Sequence, residues 1–198
     1  MTNDRQYAEL VSVACHDILT PLATVYGFAR TLERVELEPP SDRYVEMIGA
    51  ASSQIDDLVD QLRLATRIQL GLYKPVLMET DSLELARAAA ERLEEGRVTV
   101  SGEGSAVLVD PDPTARALAQ LARATARFGG HDTVTMQVAG PVLTIAPLSR
   151  PAEPVVLGEE LRELAAPAAA MLVRALEGTL EARDETLVIS LPVSASGS

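Results

Sequence analysis

Apolar and small residues recur at alternating intervals of four and three positions over the first part of the chain. They are Tyr7, Val11, Ala14, Ile18, Pro21, Val25, Phe28 and Leu32. This spacing places all of these side chains along one side of a helix, as in the seam of a coiled coil. The pattern therefore predicts a long first helix, which the pair Pro39-Pro40 ends.

A second run with the same spacing follows the two prolines. Ser41 or Asp42 can cap its helix, and Gly71 marks its end. The seam residues are Tyr44, Ile48, Ala51, Ile55, Leu58, Leu62 and Ala65. Because two helices alone cannot enclose apolar stripes of this length, we expect a second copy of the hairpin to complete a homodimeric four-helix bundle. The alternative is that the rest of the same chain covers the seam.

The pattern becomes mixed beyond Lys74-Pro75, where helical and alternating segments follow one another. Three helices are predicted. One runs from Asp81, which forms a capping box with Glu84, to Gly96; the next begins at Asp110-Pro111 or Asp112-Pro113 and ends at Phe128; and the last runs from about Gly158 to Glu177. Short strands are predicted at 98–100, 107–109, 134–138, 143–145 and 187–191. We therefore expect a helical hairpin domain over 1–72 and a small α/β domain over 73–198, with about three helices on one face of its sheet.

Composition narrows the classes of function. The chain has 198 residues and a formal net charge of -12, and no basic stripe is visible, which argues against nucleic-acid binding. No apolar run is long enough for a membrane span. The first residues lack the pattern of a secretory signal, and the single Cys15 cannot form an internal disulfide, so a cytoplasmic location is expected.

The segment Cys15-His16-Asp17-Ile18-Leu19-Thr20-Pro21-Leu22 lies within the first predicted helix. It resembles the H-box of histidine kinases, and the segments 61–63 and 65–71 are similar to the end of the same hairpin in that family. The resemblance implies a dimerisation and phospho-acceptor hairpin in which His16 carries phosphate. His16 lies two positions from the seam residues Ala14 and Ile18, which predicts that its side chain faces outward and is accessible.

The neighbours of His16 suggest supporting roles. A phosphate carrier needs a nucleophile that is largely neutral near pH 7, as histidine is, and Asp17 can orient the imidazole or take up its proton. In the kinases that the motif resembles, the threonine at the position of Thr20 helps to position water for dephosphorylation of the partner. Its hydroxyl can instead bond back to the carbonyl of His16. Pro21 removes a helical hydrogen bond, which predicts a bend beside the histidine.

The second domain resembles the ATP-binding domain of the same family, with the segments 107–112, 177–181 and 187–192 as the matching parts. The family's magnesium-binding asparagine corresponds to Ala124, and a methyl group cannot bind a metal ion that requires oxygen ligands. The adenine-binding loop corresponds to Ala146 to Pro151, which has neither the aspartate nor the glycines of the family. The phosphate loop corresponds to Ala165 to Met171 and lacks its glycines as well. We therefore expect no ATP cofactor.

These features predict a two-component signalling protein of the histidine phosphotransferase type, which exchanges phosphate between His16 and the aspartates of response-regulator receiver domains. Any magnesium ion is then expected on the receiver. The alternatives are a non-catalytic pseudokinase that binds a kinase or response regulator, and a sensor kinase that still uses ATP. His131 and Asp132 follow two glycines and are read as turn residues, so no metal site is expected.

Overall fold

The computed structural model describes residues 2–32 and 41–193 of the chain. They form a helical hairpin followed by an α/β sandwich, which confirms the predicted fold class. The chain divides into two compact units, Met1–Arg63 and Leu64–Ser198. The second unit begins within a helix because the partly buried side chains of Leu64 and Ile68 pack against the core of the α/β unit.

The hairpin consists of α1 (Thr2–Leu32) and α2 (Ser41–Gln69), as the two runs predicted. Pro39-Pro40, the predicted end of the first helix, lies outside the described residues. The rings of Phe28 and Tyr44 stack with their centroids 5.4 Å apart, so α1 and α2 contact each other where the chain passes from one to the other. Within the described residues, no helix is both long and apolar enough to cross a membrane.

One copy of the hairpin leaves much of its apolar surface uncovered. Several seam side chains are only partly buried, namely Ile18, Val25, Phe28, Tyr44, Ile48, Ile55, Leu58 and Leu62. Other large apolar side chains of the two helices are exposed, namely Leu19, Leu22, Tyr26, Val45, Met47 and Val59. The small seam residues Ala14, Pro21 and Ala51 are buried. The hairpin thus carries more apolar surface than two helices can cover.

The α/β unit contains seven strands and four helices among its described residues. In chain order they are β1 (Met78–Asp81), α3 (Ser82–Ala90), β2 (Val98–Gly104), β3 (Ala106–Val109), α4 (Pro111–Gly129), β4 (Val134–Gly140), β5 (Val142–Ala146), α5 (Glu153–Val156), α6 (Ala165–Ala175), β6 (Thr179–Arg183) and β7 (Thr186–Ser190). Five strands form a sheet in the order β2-β4-β5-β7-β6, in which only β2 and β4 run parallel. A separate antiparallel pair joins β1 to β3.

The core of the α/β unit lies between the five-stranded sheet and helices α3, α4 and α6. Alternate residues of each strand point into it, as in β4, where Val134, Met136 and Val138 are buried and the residues between them are exposed. This period of two is the pattern expected of a sheet with one covered face. The helices contribute many alanines, which allow α4 and α6 to pack closely on each other.

Several predicted boundaries were wrong. Helix α3 ends at Ala90 instead of Gly96, because the N–H groups of Arg92 and Leu93 bond to carbonyls three residues back and close the chain into turns. The last helix begins at Ala165 instead of Gly158, which adopts a left-handed φ of 73°. Strand β2 is longer than predicted because it pairs with β4 over its whole length. Strand β1 and the single-turn helix α5 were not predicted.

The two predicted aspartate caps behave differently. Asp81 caps α3, since its carboxylate accepts the N–H groups of Leu83 and Glu84 at 2.8 and 3.1 Å. Asp110 precedes α4 but makes no side-chain cap. Its Oδ2 instead accepts the hydroxyl of Tyr73 and the N–H of Val76, both at 3.1 Å. Asp110 thus ties the segment that follows α2 to the start of α4.

Because of the contact with Asp110, we expect Tyr73 to lose its proton only at high pH. Burial, together with the charge of Asp110 and the hydrogen bond to it, raises the pKa of the Tyr73 hydroxyl well above the ordinary value of about 10. As the pH rises, Tyr73 loses its proton in the unfolded chain before it does so in the folded protein. The stabilisation that the protonated hydroxyl provides is therefore present below about pH 10 and is lost as the pH rises further. A spectrophotometric titration of the wild type and of Tyr73→Phe gives, by difference, the ionisation of Tyr73 alone. Its midpoint should lie well above pH 10 in the native protein and near pH 10 in urea. A midpoint near pH 10 for the native protein would contradict the Asp110 contact.

Candidate functional site

His16 lies on the outer surface of α1. Its side chain is 82% exposed, whereas Ala14, two positions earlier, is fully buried. This arrangement follows from helical geometry, because residues two apart lie on opposite sides of a helix. The imidazole is therefore open to approach by a large partner.

Asp17 contacts the imidazole directly. Oδ1 of Asp17 lies 3.2 Å from Nδ1 of His16, and the Asp17 side chain is 23% exposed. An ionised carboxylate only accepts hydrogen bonds, so this contact favours the neutral tautomer with its proton on Nδ1. In that tautomer Nε2 carries a free lone pair, which is the form required of a nucleophile.

Thr20 and Pro21 lie one turn beyond His16. The hydroxyl of Thr20 points back along the helix toward the carbonyl oxygen of His16, at a distance of 3.5 Å. This distance is long for an O–H···O hydrogen bond, so the hydroxyl is only weakly held there. Pro21 is buried within α1, which continues through it to Leu32.

Ala124 takes the place of the family's magnesium-binding asparagine in the resemblance to histidine kinases. Ala124 lies in the middle of α4 and is completely buried. It offers no oxygen atom, and its neighbour on the helix, Thr125, uses its hydroxyl to bond to the carbonyl of Leu121 at 2.8 Å. This part of α4 has the character of a packed core and not of a metal site.

The segment between β5 and α6 lies where the resemblance to histidine kinases places the nucleotide-binding loops. Four of its apolar side chains, Leu148, Ala152, Val155 and Val156, are at most 3% exposed and belong to the core of the unit. Helix α6 then begins with alanines and Pro167, and Ala166 and Pro167 are buried. Buried apolar side chains therefore occupy both segments in which the resemblance places the nucleotide-binding loops.

Among the described residues, no three His, Cys, Asp or Glu side chains are close enough together to hold a metal ion. His131 lies just after α4, and its buried Nε2 has no hydrogen-bond partner there. The contact between Tyr73 and Asp110 had no signal in the sequence, because the two residues are 37 positions apart.

Known proteins resemble this chain in the sequence of the hairpin and in the overall fold. Residues 6–71 match the family described as "His Kinase A (phospho-acceptor) domain". Acinetobacter baumannii histidine kinase AdeS has the same fold, with a TM-score of 0.66 and 14% identity over 90% of this chain and 98% of that one. Full-length ShkA, solved with AMPPNP, has a TM-score of 0.53 and 18% identity over 96% of this chain and 47% of its own. A search of characterised protein sequences gave no significant match.

Proposed function

We propose that this chain is a histidine phosphotransferase. Its residues 6–71 match the His Kinase A phospho-acceptor domain, and its α/β domain has a histidine kinase-like fold. The chain takes a phosphoryl group from the aspartyl phosphate of one receiver domain onto His16 and passes it to the aspartate of another. We assign carriage of the phosphate to residues 1–72 and a non-catalytic role to residues 73–198. The observation on which the proposal depends is the exposed imidazole, whose Nδ1 contacts Asp17 while Nε2 is free to react.

The transfer step follows from this geometry. Nε2 of His16 attacks the phosphorus atom of the aspartyl phosphate, a P–N bond forms as the P–O bond breaks, and the receiver's carboxylate leaves. Asp17 stabilises the positive charge that develops on the ring and helps to remove the proton on Nδ1. Attack by a second aspartate reverses these changes. Most of the acceleration comes from positioning, with the receiver's magnesium ion neutralising the phosphate.

Dimerisation of the hairpin is part of the proposal. Domains of this family typically dimerise and interact with response regulators. The partly buried seam and the exposed Leu19, Leu22 and Tyr26 of α1 provide apolar surface that a second hairpin would cover. Exposure of this surface to water would be unfavourable, at about 25 cal/mol for each Å². We therefore propose a homodimeric four-helix bundle with one His16 on each protomer.

We propose that the α/β domain neither binds ATP nor phosphorylates His16. The residues do not fit the nucleotide, because Ala124 offers no metal ligand and the segment between β5 and α6 turns apolar side chains into the core. Restoring the site would require changes on α4 and in both loops together. No catalytic step is therefore assigned to ATP.

Isothermal titration calorimetry with magnesium and ATP tests this part of the proposal. We expect no saturable heat at micromolar nucleotide, because neither metal nor phosphate finds ligands. AdeS, which has the same fold, serves as the comparison under the same conditions. Micromolar affinity for ATP would show that the domain is a working nucleotide site and would support an autokinase instead.

A relay experiment with two receivers tests the function itself. One receiver domain is phosphorylated with acetyl phosphate, freed of excess reagent and mixed with a second, unphosphorylated receiver. We expect phosphate to reach the second receiver only when this chain is present. A substoichiometric amount of the chain should be enough. If the chain binds a receiver but never moves its phosphate, the alternative of a non-catalytic regulator replaces the proposal.

A further inference from the structure

The α/β unit contains a cavity of about 350 Å³, a volume within the range of small-molecule sites. It lies between the residues that follow α3, the start of β2, the C-terminal half of α4 and the start of β4. Its apolar lining comprises Leu93, Val98, Ala122, Ala126 and Val134. Ala122 and Val134 are almost fully buried, so the lining belongs to the packed core and is preformed.

This cavity differs from the place where the family binds nucleotide. Ala124, at the position of the metal-binding asparagine, does not line it, and neither does any residue of Ala146 to Pro151. On α4, Ala122 and Ala126 face the cavity, while Ala124 lies two positions from each and therefore on the other side of the helix. A ligand in this cavity would thus be independent of the lost nucleotide site.

Three arginines and two carboxylates, Glu94 and Asp132, line the cavity, which leaves one more positive than negative charge there, although the chain as a whole carries -12. Arg123 and Arg127 both line it and are exposed, one helical turn apart on α4. Like charges at this spacing destabilise a helix by a few tenths of a kcal/mol. Arg127 has a partner in Glu163 at 3.2 Å, whereas Arg123 has no ion pair or hydrogen-bond partner among the described residues. An anion beside Arg123 would relieve this repulsion.

Four further polar side chains line the cavity, namely Glu94, Arg97, His131 and Asp132, and the carboxylates of Glu94 and Asp132 both pair with Arg97, at 3.0 and 3.9 Å. Arg97 is held in place, because its Nε contacts Glu94 at 3.0 Å and its guanidinium donates to the carbonyl of Asp132 at 3.2 Å. The imidazole of His131 also lines the cavity, and its buried Nε2 has no hydrogen-bond partner among the described residues.

We propose that this cavity binds a small organic anion, with an apolar body against Ala122, Ala126 and Val134 and a carboxylate or phosphate group on Arg123 and Arg127. The planar guanidinium group forms paired hydrogen bonds with either type of anion, which is why two arginines one turn apart suit this ligand. The site goes beyond phosphate carriage, since no residue of it takes part in the chemistry of His16.

Phenyl phosphate is a suitable probe, and benzyl alcohol is its neutral counterpart. In a titration followed by amide NMR of the full chain, phenyl phosphate should shift the signals of Ala122, Ala126 and Val134 with saturation, and benzyl alcohol should bind much more weakly. Arg123→Gln should weaken the binding of phenyl phosphate about tenfold, because the substitution removes a positive charge and leaves the core unchanged. Arg116→Gln is the matched control on the same helix, since Arg116 pairs with Asp112 at 3.1 Å and does not line the cavity.

A second variant tests the apolar part of the site. Ala126→Leu places a larger side chain in the lining, where Ala126 is only partly buried, and should abolish binding while the circular dichroism spectrum stays unchanged. The proposal is overturned if wild-type protein shows no saturable binding of phenyl phosphate, if the shifted signals lie elsewhere, or if Arg123→Gln and Arg116→Gln bind equally well.

Discussion

His16→Ala will accept no phosphoryl group from a phosphorylated receiver, while its dimer and its unfolding temperature stay close to those of the wild type. The covalent bond forms at the imidazole, and no neighbouring side chain can replace that nucleophile. The side chain is 82% exposed, so its removal leaves no cavity in the core. The measurement is acid-labile radiolabel retained on the chain after mixing with the phosphorylated receiver.

This experiment has two controls. Asp17→Asn should slow transfer by about 10²–10⁴-fold without stopping it, because the carboxylate only orients the ring and assists its proton. The chain has one other histidine, His131, and mass spectrometry of the labelled wild type should find no phosphate on it. If His16→Ala still became labelled, the phosphate carrier would be another residue and the assignment of His16 would fail.

Leu58→Glu combined with Leu62→Glu will convert the dimer into monomers or unfolded chains. Both leucines lie on the seam of α2 and are partly buried within a single hairpin, so dimer formation would bury them further. Placing two carboxylates there without partners costs several kcal/mol for each charge. Light scattering after gel filtration reports the mass, which for the wild type should be twice the 21.1 kDa of one chain.

The matched control adds two carboxylates to the outer side of the same helix. Ala50→Glu combined with Ser53→Glu changes the net charge equally, but both positions are exposed and off the seam. This variant should remain a dimer. A wild-type protein with the mass of a single chain at micromolar concentration would exclude the four-helix bundle.

The hairpin was predictable because its structure follows from local periodicity. The intervals of four and three residues define a seam, and they place His16 away from it without any knowledge of tertiary structure. The same holds for β4, in which buried and exposed residues alternate, and for β5 and β7, in which buried and partly buried residues alternate. Long elements with strong periodicity therefore carried most of the predictive information.

The errors came from segments whose structure depends on distant contacts. Strand β1 has four residues and exists because it pairs with β3, which lies almost 30 positions later. Asp110 stands where a helix cap is expected, but its carboxylate bonds to Tyr73 and Val76 instead. Tertiary hydrogen bonds thus replaced the local one that the sequence suggested.

The cavity beside α4 also could not be predicted from the sequence. Arg97 is distant in sequence from Arg123 and Arg127, and only the pairing of β2 with β4 and the packing of α4 on β4 bring the three together at one edge. The spacing of Arg123 and Arg127 without an acidic residue between them was the one available hint. Such a pair is common on solvated helices, so it identifies a site only when a cavity lies beside it.

The most direct test of the central claim compares two phosphate donors. The chain is incubated either with radiolabelled ATP and magnesium or with a radiolabelled phosphorylated receiver, and the position of the label is determined by mass spectrometry under alkaline conditions. We predict label on His16 from the receiver and none from ATP. Label on His16 from ATP alone, or no label on His16 from any phosphorylated receiver, would contradict the account.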